Sequence, residues 1–425
     1  MIKKLFILAC CACLALCACS QDTGSGLVIG PPPSGGDTTQ PGDNTGTGDN
    51  TGTGNNPGTP TDVGTPGKTL CTDIGQTPII LAYYTENSPS MPDVTLLTHI
   101  NYAHGRFVNP ETGDGGIWID KPEKMQQVIA LKSVNPKLKV MLMIGGWGYR
   151  ADGFSMMARD AAKRTAFCQS VQSLITQYGL DGVDIDWEYP GFAAKSEKDG
   201  QVYYNGADET NDKTNFNKVL KELRETIGTS KIISFASSAS SKYVDWPEAI
   251  KYLDYVNVMT YDMGRPPLHH NSPLRYGDYF KQDGCAESIQ LHLGKGIPRT
   301  RMNLGVPFYG KSDTADDTYP DEVKYNEMAE ILTKGTYKGK DVSSRNVRQW
   351  DEKAKVPYLS DRFGKNYLSY DDPESVGYKG AFVKDEGLLG AMFWEYRHDD
   401  DKQSLLKALV TAIYGSPSVL KESTE

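Results

Sequence analysis

The sequence predicts an α/β fold, a closed (β/α)8 TIM barrel with a small α+β insertion domain between strand seven and strand eight. Eight short apolar segments that suit buried strands alternate with helical segments. The stretch between the last two strands is too long for one crossover. No Gly-rich phosphate loop follows an early strand, which disfavours the rival open, doubly wound sheet.

The predicted barrel strands are rich in the aliphatic, β-branched and aromatic residues that fill buried parallel strands. In chain order they are Ile79–Tyr84, His99–Phe107, Leu138–Gly145, the segment within Asp181–Pro190, Lys231–Ser237, Tyr255–Tyr261, Met302–Phe308 and Leu388–Trp394. Helical patterns occupy Pro122–Val134, Ala161–Tyr178, Asn211–Ile227 and Asp401–Tyr414. In such a barrel, catalytic residues gather at the rim where the strands end.

Residues 311–370 are the predicted insertion domain. They contain a helix candidate at Glu322–Lys334 and extended segments at Val347–Trp350, Val356–Leu359 and Tyr367–Tyr370. Because the insertion follows strand seven, we expect it to stand on the C-terminal rim and to deepen a cleft there.

The N-terminus predicts an export signal, assigned to residues 1–18. Lys3 and Lys4 precede the apolar run Leu5–Ala18, which is too short to span a membrane. Leu16–Cys19 resembles a bacterial lipobox, which implies cleavage before Cys19 and lipidation of its thiol. A plain signal peptide is the alternative. We expect an exported lipoprotein of the outer membrane, with its periplasmic or cell-surface face left open.

Residues 19–68 predict a disordered tether. Gly, Thr, Asn, Asp and Pro dominate it, and the run Gly42–Gly48 recurs almost unchanged at Gly48–Gly54. Such a tract buries too little apolar surface to offset its ordering entropy. Residues 69–425 remain for the catalytic barrel, a suitable size for one enlarged α/β domain.

The composition limits the classes of partner that the protein is expected to bind. A formal net charge of −9 argues against nucleic acid and against an anionic membrane surface, so membrane contact is expected through the lipid anchor only. Besides Cys19, the mature chain keeps Cys71, Cys168 and Cys285, which allow at most one intramolecular disulfide and lack metal-ligand spacing. We expect a monomer without cofactor or metal.

Three carboxylates share one face of the fourth strand. Because strand side chains alternate with period two, Asp184, Asp186 and Glu188 point the same way. Crowding and burial there cost stability and raise the pKa of at least one acid. Trp187 and Pro190 frame the acids, which disfavours a solvated edge strand. The pattern therefore indicates an acid that is protonated near neutral pH.

Aromatic residues end several other strands: Tyr83 and Tyr84 on strand one, Trp147 on strand three, Tyr261 on strand six and Trp394 on strand eight. Acids beside aromatic rings indicate glycoside chemistry, since sugar faces stack on rings while a protonated acid supplies the leaving-group proton. Glu188, nearest the cleft, is the best donor candidate. Asp186 is too close to it for an ordinary nucleophile, so a nucleophile supplied by the substrate fits better.

The segment Asp181-Gly182-x-Asp184-x-Asp186-Trp187-Glu188-Tyr189-Pro190 resembles the signature of glycoside hydrolase family 18, the chitinases. The resemblance covers the chain after about Thr77. It extends to Asn101–Ala103, Met259–Asp262, Gly305–Gly310 and Trp394, while Val356–Leu359 and Ser369–Pro373 match members with a chitinase insertion domain.

The resemblance implies substrate-assisted, retaining hydrolysis. Glu188 would protonate the glycosidic oxygen while the 2-acetamido carbonyl of the substrate attacks the anomeric carbon. Asp186 would orient the acetamide, Asp184 would share a proton with Asp186, and Tyr261 would hydrogen-bond the acetamide oxygen. The resemblance also implies substrate-binding roles for Tyr83, Trp147, Met259, Asp262 and Trp394.

Two positions depart from the family pattern. Met143 replaces a Ser two residues before the paired glycines of strand three, which removes a hydroxyl expected near Asp184. Lys311 replaces an Arg and lacks its bidentate guanidinium fork. Elsewhere, His269-His270 are adjacent residues that do not share a face, which disfavours a metal pair, and His398–Asp400 indicates a loop and helix cap.

The sequence is compatible with three functions. The favoured one is a chitinase-like hydrolase of β-1,4-linked N-acetylglucosamine chains, with endo or exo cleavage and processivity left open. An endo-β-N-acetylglucosaminidase acting on N-glycans is disfavoured by the rim insertion, which suits a linear chain. A non-catalytic sugar-binding protein is disfavoured because all three acids and Tyr261 are present.

Overall fold

The computed structural model describes residues 70–420 except 194, 199–200, 205 and 278–280. The predicted signal peptide, lipidation site Cys19 and tether lie outside the described residues. Within the part of the chain that is described, no helix combines the length and the apolar character needed to cross a bilayer.

Eight parallel strands close into a barrel, as predicted. They are β1 Ile79–Thr85, β2 His99–Phe107, β3 Lys139–Gly146, β4 Gly182–Trp187, β5 Ile232–Ser238, β6 Tyr255–Met259, β7 Met302–Pro307 and β8 Gly390–Trp394. Each strand pairs with the next, and β1 pairs with both β2 and β8, for example through Ile79 and Gly390. This closure excludes the doubly wound sheet.

Helices surround the barrel at Pro122–Ala130, Phe154–Ala158, Ala161–Tyr178, Asp212–Ile227, Trp246–Ala249, Cys285–Gly294, Pro373–Asp385 and Ser404–Tyr414. Local sequence explains the bounds of Ala161–Tyr178. The Asp160 carboxylate accepts from the backbone N–H groups of Ala162 and Lys163 at its start, and Gly179, with φ 68°, ends it in the left-handed conformation.

Apolar side chains divide between two layers. Those that point outward from the strands pack against the helices, as Ile80, Val140 and Val183 do. Those that point inward fill the barrel, including Leu81, Met141, Ile232 and Tyr255. The period of two that separates these layers also turns Asp184 and Asp186 into the barrel interior.

A second sheet lies between β7 and β8, where the insertion was predicted. Its five antiparallel strands are, in spatial order, Glu322–Lys324, Tyr309–Ser312, Asn366–Ser369, Val356–Ser360 and Val347–Asp351. The helix spans Tyr325–Lys334. The predicted helix start at Glu322 is wrong, because residues 322–324 pair with Tyr309–Lys311 as a strand.

Candidate active site

Two of the three acids, Asp184 and Asp186, lie on β4, and Glu188 follows the strand at the C-terminal mouth of the barrel. In the register of the sheet, Asp184 lies opposite Met143 on β3 and Ser234 on β5. Gly145 permits the close approach of β3, since a Cβ there would lie 2.3 Å from the carbonyl oxygen of Asp186. Asp184 is fully buried, Asp186 is 3% exposed and Glu188 is half-buried, so exposure increases towards the mouth.

Asp184 sits in a hydrogen-bonded cage. Its carboxylate accepts from the Tyr83 hydroxyl at 2.7 Å, from Ser234 Oγ at 2.5 Å and from Asn257 Nδ2 at 3.1 Å. Burial raises the pKa of Asp184 to about 6, and these hydrogen bonds limit the rise because they stabilise the ionised form. Asp184 therefore gains or loses its proton at a pH close to neutral.

Asp186 and Glu188 form a coupled pair. Burial raises the pKa of Asp186 well above its usual range, and the charges of Glu188 and Asp184 add to the effect. Burial also raises the pKa of Glu188 to about 7. The charge of Asp262 contributes to this rise, whereas hydrogen bonds with Tyr189 and Asp186 and the charge of Arg150 oppose it. The pair therefore holds at least one proton near neutral pH, as a general acid requires.

Tyr261 lies beyond the end of β6, since this strand stops at Met259 and not at Tyr261 as predicted. Its buried hydroxyl is close enough to Asp186 and Glu188 for both to raise its pKa. Met259 is buried in the same apolar cluster inside the barrel. Tyr261 is therefore neutral and able to donate a hydrogen bond beside the acid pair.

Trp394 borders the site at the end of β8. Its ring centroid lies 5.6 Å from that of Tyr83 and 6.3 Å from that of His104. The peptide bonds Glu188–Tyr189 and Trp394–Glu395 are cis. Trp394 and the Asp184 cage are thus joined through the Tyr83 ring.

Trp147 belongs to an aromatic group at the ends of β3 and β4. Its side chain is 58% exposed, with its ring centroid 6.4 Å from Tyr189 and 6.1 Å from Phe192. Tyr189 stacks on Tyr243 at 4.4 Å with an interplanar angle of 6°. These rings present flat faces beside Glu188, of the kind on which sugars stack.

Asp262 is exposed on the other flank and is bound to Lys311. Lys311 Nζ lies 3.3 Å from Asp262, 3.5 Å from Asp321 and 3.7 Å from Glu322. These three acids raise the pKa of Lys311 against the opposing effect of burial. Lys311 thus joins the loop after β6 to the second sheet, although it lacks the guanidinium fork of an arginine.

Histidine, glutamate and aspartate side chains meet beside Trp394 at a spacing that a cation could bridge. One ligand atom from each of Glu86, His104 and Asp120 lies within 4.8 Å of the others. Arg106, however, bonds to Asp120 and lies 3.9 Å from Glu86. Since the guanidinium already supplies positive charge to these acids, we assign no metal to the cluster.

The remaining histidine motifs have structural positions. His270 is buried, with Nδ1 3.2 Å from Ser369 Oγ and Nε2 3.3 Å from Asp351. His398 Nε2 lies 3.0 Å from Glu395. As predicted, the acids that follow cap a helix: Asp399 accepts from the backbone N–H of Leu406 at 2.9 Å, and Asp400 contacts Ser404.

Sequence reasoning missed four residues of this site. Ser234 and Asn257 point into the barrel from β5 and β6, and their inward position by strand alternation was the available signal. Tyr243 lies in a loop and Arg150 in the short 3₁₀ segment Gly148–Ala151, and no periodicity marks either residue. Their partners are visible only once the strands are in register.

Comparisons with known proteins identify chains of similar sequence. A family model described as "Glycosyl hydrolases family 18" matches residues 79–399. Chitinase A1 of Niallia circulans is 31% identical, over 79% of this chain and 58% of that protein. Chitinase B of Serratia marcescens is 28% identical, over 74% of this chain and 75% of that protein. The chain thus spans little more than half the length of chitinase A1.

Solved structures with the same fold include two similar enzymes. The Ostrinia furnacalis Group IV chitinase in complex with allosamidin superposes with a TM-score of 0.65 and 27% identity, covering 80% of this chain and 99% of that chain. A family 18 N-acetylglucosaminidase from Paenibacillus barengoltzii gives a TM-score of 0.64 and 30% identity, covering 79% and 99%.

Proposed function

The chain belongs to the family 18 glycosyl hydrolases, and we propose that it hydrolyses β-1,4-linked N-acetylglucosamine oligomers or polymers by substrate-assisted, retaining catalysis. The observation that carries the proposal is the row of three acids with raised pKa values: Asp184 and Asp186 on β4, the former in a cage of hydrogen bonds, and Glu188 directly after the strand at the mouth. The chitinases among its relatives support the choice of substrate.

In the first step, Glu188 donates its proton to the glycosidic oxygen, and the bond between that oxygen and the anomeric carbon breaks. The acetamide oxygen of the same sugar bonds to the anomeric carbon and forms an oxazolinium ion. Asp186, ionised as its proton passes towards Asp184, accepts from the acetamide N–H and stabilises the positive charge. Tyr261 donates to the acetamide oxygen as the substrate settles against Trp394.

In the second step, the Glu188 carboxylate takes a proton from water, and the water oxygen attacks the anomeric carbon from the side that the leaving group vacated. The oxazolinium ring opens and the acetamide is restored. Two inversions at one carbon give net retention. Glu188 ends protonated, ready for the next bond.

The cleft flanks would hold the rest of the chain. Trp147, with Tyr189 and Phe192 beside it, would stack on sugars on the leaving-group side. Asp262, anchored by Lys311, would contact the sugar near the acids. The second sheet follows β7 directly and would wall the cleft, which favours a linear polymer over a branched N-glycan.

Location and assembly are also proposed. Cleavage before Cys19 and its lipidation would anchor the protein in the outer membrane, with residues 19–68 as a tether that holds the barrel away from the surface. We propose that the barrel acts there as a monomer on soluble fragments of chitin.

A substrate panel tests the function. Purified protein is incubated with chitooligosaccharides and, separately, with a high-mannose glycoprotein, and proton NMR records the anomer of the first product. We expect cleavage of the oligosaccharides with the β-anomer formed first. Release of N-glycans without cleavage of chitooligosaccharides would overturn the proposed choice of substrate. An α-anomer formed first would exclude substrate-assisted catalysis.

A further inference from the structure

Arg150 lies across the end of β3, beside the proposed proton donor. It belongs to the short 3₁₀ segment Gly148–Ala151. A Cβ on Gly146 would lie 3.2 Å from Arg150 Cδ, so the stem of the side chain rests on the last residue of β3. Gly146 pairs with Trp187, the residue that precedes Glu188. The Arg150 side chain therefore crosses the mouth of the barrel next to β4.

The guanidinium of Arg150 lies near two groups of the site. Its charge lowers the pKa values of both Glu188 and His104, so it acts electrostatically on the donor and on the cluster beside Trp394. Its guanidinium carbon lies 4.9 Å from the Tyr149 ring. Arg106 lies 5.4 Å from the same ring, so Tyr149 contacts two guanidinium groups.

The two arginines differ in their partners. Arg106 bonds to Asp120. Among the described residues, no acid forms an ion pair with Arg150, and this is the difference between the two. The buried Nε atoms of both arginines lack a hydrogen-bond partner. A buried donor without an acceptor costs free energy, and a bound ligand oxygen removes that cost.

We propose that Arg150 is a substrate-binding residue whose guanidinium donates a hydrogen bond to an oxygen of the sugar chain beside the bond that is cut. The positive charge of Arg150 also makes this part of the cleft bind neutral N-acetylglucosamine in preference to protonated glucosamine. The proposal rests on the proposed function for the identity of the chain. A guanidinium is suited to the task because it stays charged and presents several N–H groups in one plane.

Binding of a defined ligand tests the proposal directly. Isothermal titration with tetra-N-acetylchitotetraose is performed in a Glu188→Gln background, in which the ligand is not consumed. We expect Arg150→Gln to weaken binding about tenfold or more, as loss of a charged hydrogen bond does, with Arg150→Lys intermediate. Arg362→Gln, which removes an exposed cation stacked 4.6 Å from the Phe363 ring, is the matched control and should bind normally.

A second titration tests the charge preference. De-N-acetylated chitotetraose replaces the acetylated tetramer, and the ratio of the two dissociation constants is compared between variants. Arg150→Gln should bring the two dissociation constants closer together, whereas Arg362→Gln should leave their ratio unchanged. A folded Arg150→Gln variant with unaltered affinity and ratio would overturn the proposal, and so would a lack of binding by every form.

The titrations also separate the two proposals. If the protein with Glu188 intact binds the tetramer but never cleaves it, the hydrolase function fails, while the effect of Arg150→Gln on affinity still decides the role of Arg150. If that protein cleaves the tetramer and Arg150→Gln binds it equally well, the role of Arg150 fails and the hydrolase function stands.

Discussion

Ser234 donates a hydrogen bond to Asp184, with 2.5 Å between Ser234 Oγ and Asp184 Oδ1. The two residues are paired across β5 and β4, and Met143 flanks Asp184 on the opposite side, from β3. The hydroxyl that the sequence lacks at position 143 thus reaches Asp184 from the other neighbouring strand. Asp184 keeps a hydroxyl donor in addition to Tyr83.

Replacing this donor should impair both folding and catalysis. Ser234→Ala leaves the buried Asp184 carboxylate one hydrogen bond short, which should cost about 1–3 kcal/mol of unfolding free energy and raise the pKa of Asp184 further. Denaturant unfolding and kcat measure the two effects. Met143→Ser in the same background places a hydroxyl on the other side and should restore part of each. Full stability and activity in Ser234→Ala would contradict the assigned cage.

Activity should fall as pH rises through about 7. Glu188 must be protonated to act, and its raised pKa of about 7 keeps it so at neutral pH. Among the groups that face Glu188, the charge of Asp262 raises its pKa, whereas hydrogen bonds with Tyr189 and Asp186 and the charge of Arg150 lower it. Because Asp262 raises the pKa of Glu188, Asp262→Asn should move the basic limb of kcat/KM to lower pH.

The control for that shift is Glu225→Gln, which removes an exposed acid from the outer helix Asp212–Ile227. Its pH profile should match that of the unmodified protein. A basic limb that stays in place in Asp262→Asn would show that another group carries the proton.

Replacing Trp147 should weaken substrate binding and have little effect on the stability of the fold. Because its ring is 58% exposed, Trp147→Ala removes a stacking surface without leaving a buried cavity. Loss of an aromatic contact of about 1 kcal/mol predicts roughly a fivefold rise in KM for long oligosaccharides. Phe363→Ala removes a ring that is 79% exposed in the turn between two strands of the second sheet, and it should change neither KM nor melting temperature. Equal KM values in the two variants would remove Trp147 from the binding surface.

A buried ion pair should stabilise the segment in which the chain passes from the second sheet back to the barrel. Lys379 Nζ lies 2.7 Å from Asp371 and 2.7 Å from Ser272 Oγ, with both charged side chains buried. Lys379→Met leaves Asp371 as an unpaired buried charge and should cost about 3–5 kcal/mol in denaturant unfolding. Replacing both residues together with Met and Leu should recover most of that loss, and no recovery would contradict the pairing.

Strand order and the acidic face followed from sequence because both depend on local pattern. The period of two along β4 placed Asp184 and Asp186 inside the barrel before any contact was known. Strand ends were less certain: β6 stops at Met259, and Asp262, with φ 54°, turns the chain away. A hydrophobic pattern cannot reveal a backbone turn made by a polar residue.

Contacts between distant residues did not follow from sequence. Ser234 and Asp184 are 50 positions apart, and Tyr243 reaches Tyr189 from a loop. The helix start at Glu322 was wrong because pairing with Tyr309–Lys311 overrides helical propensity in those residues. In each case, the pairing and packing of residues distant in sequence decide the outcome.

Glu188 is the proposed proton donor, and the hydrolysis rate of a chitooligosaccharide by Glu188→Gln tests this role. Gln keeps the shape of the side chain but has no carboxylic proton to give. We predict a kcat about 10²–10⁴-fold lower, with substrate affinity retained and with Glu225→Gln fully active. A Glu188→Gln variant as active as the unmodified protein would contradict this role.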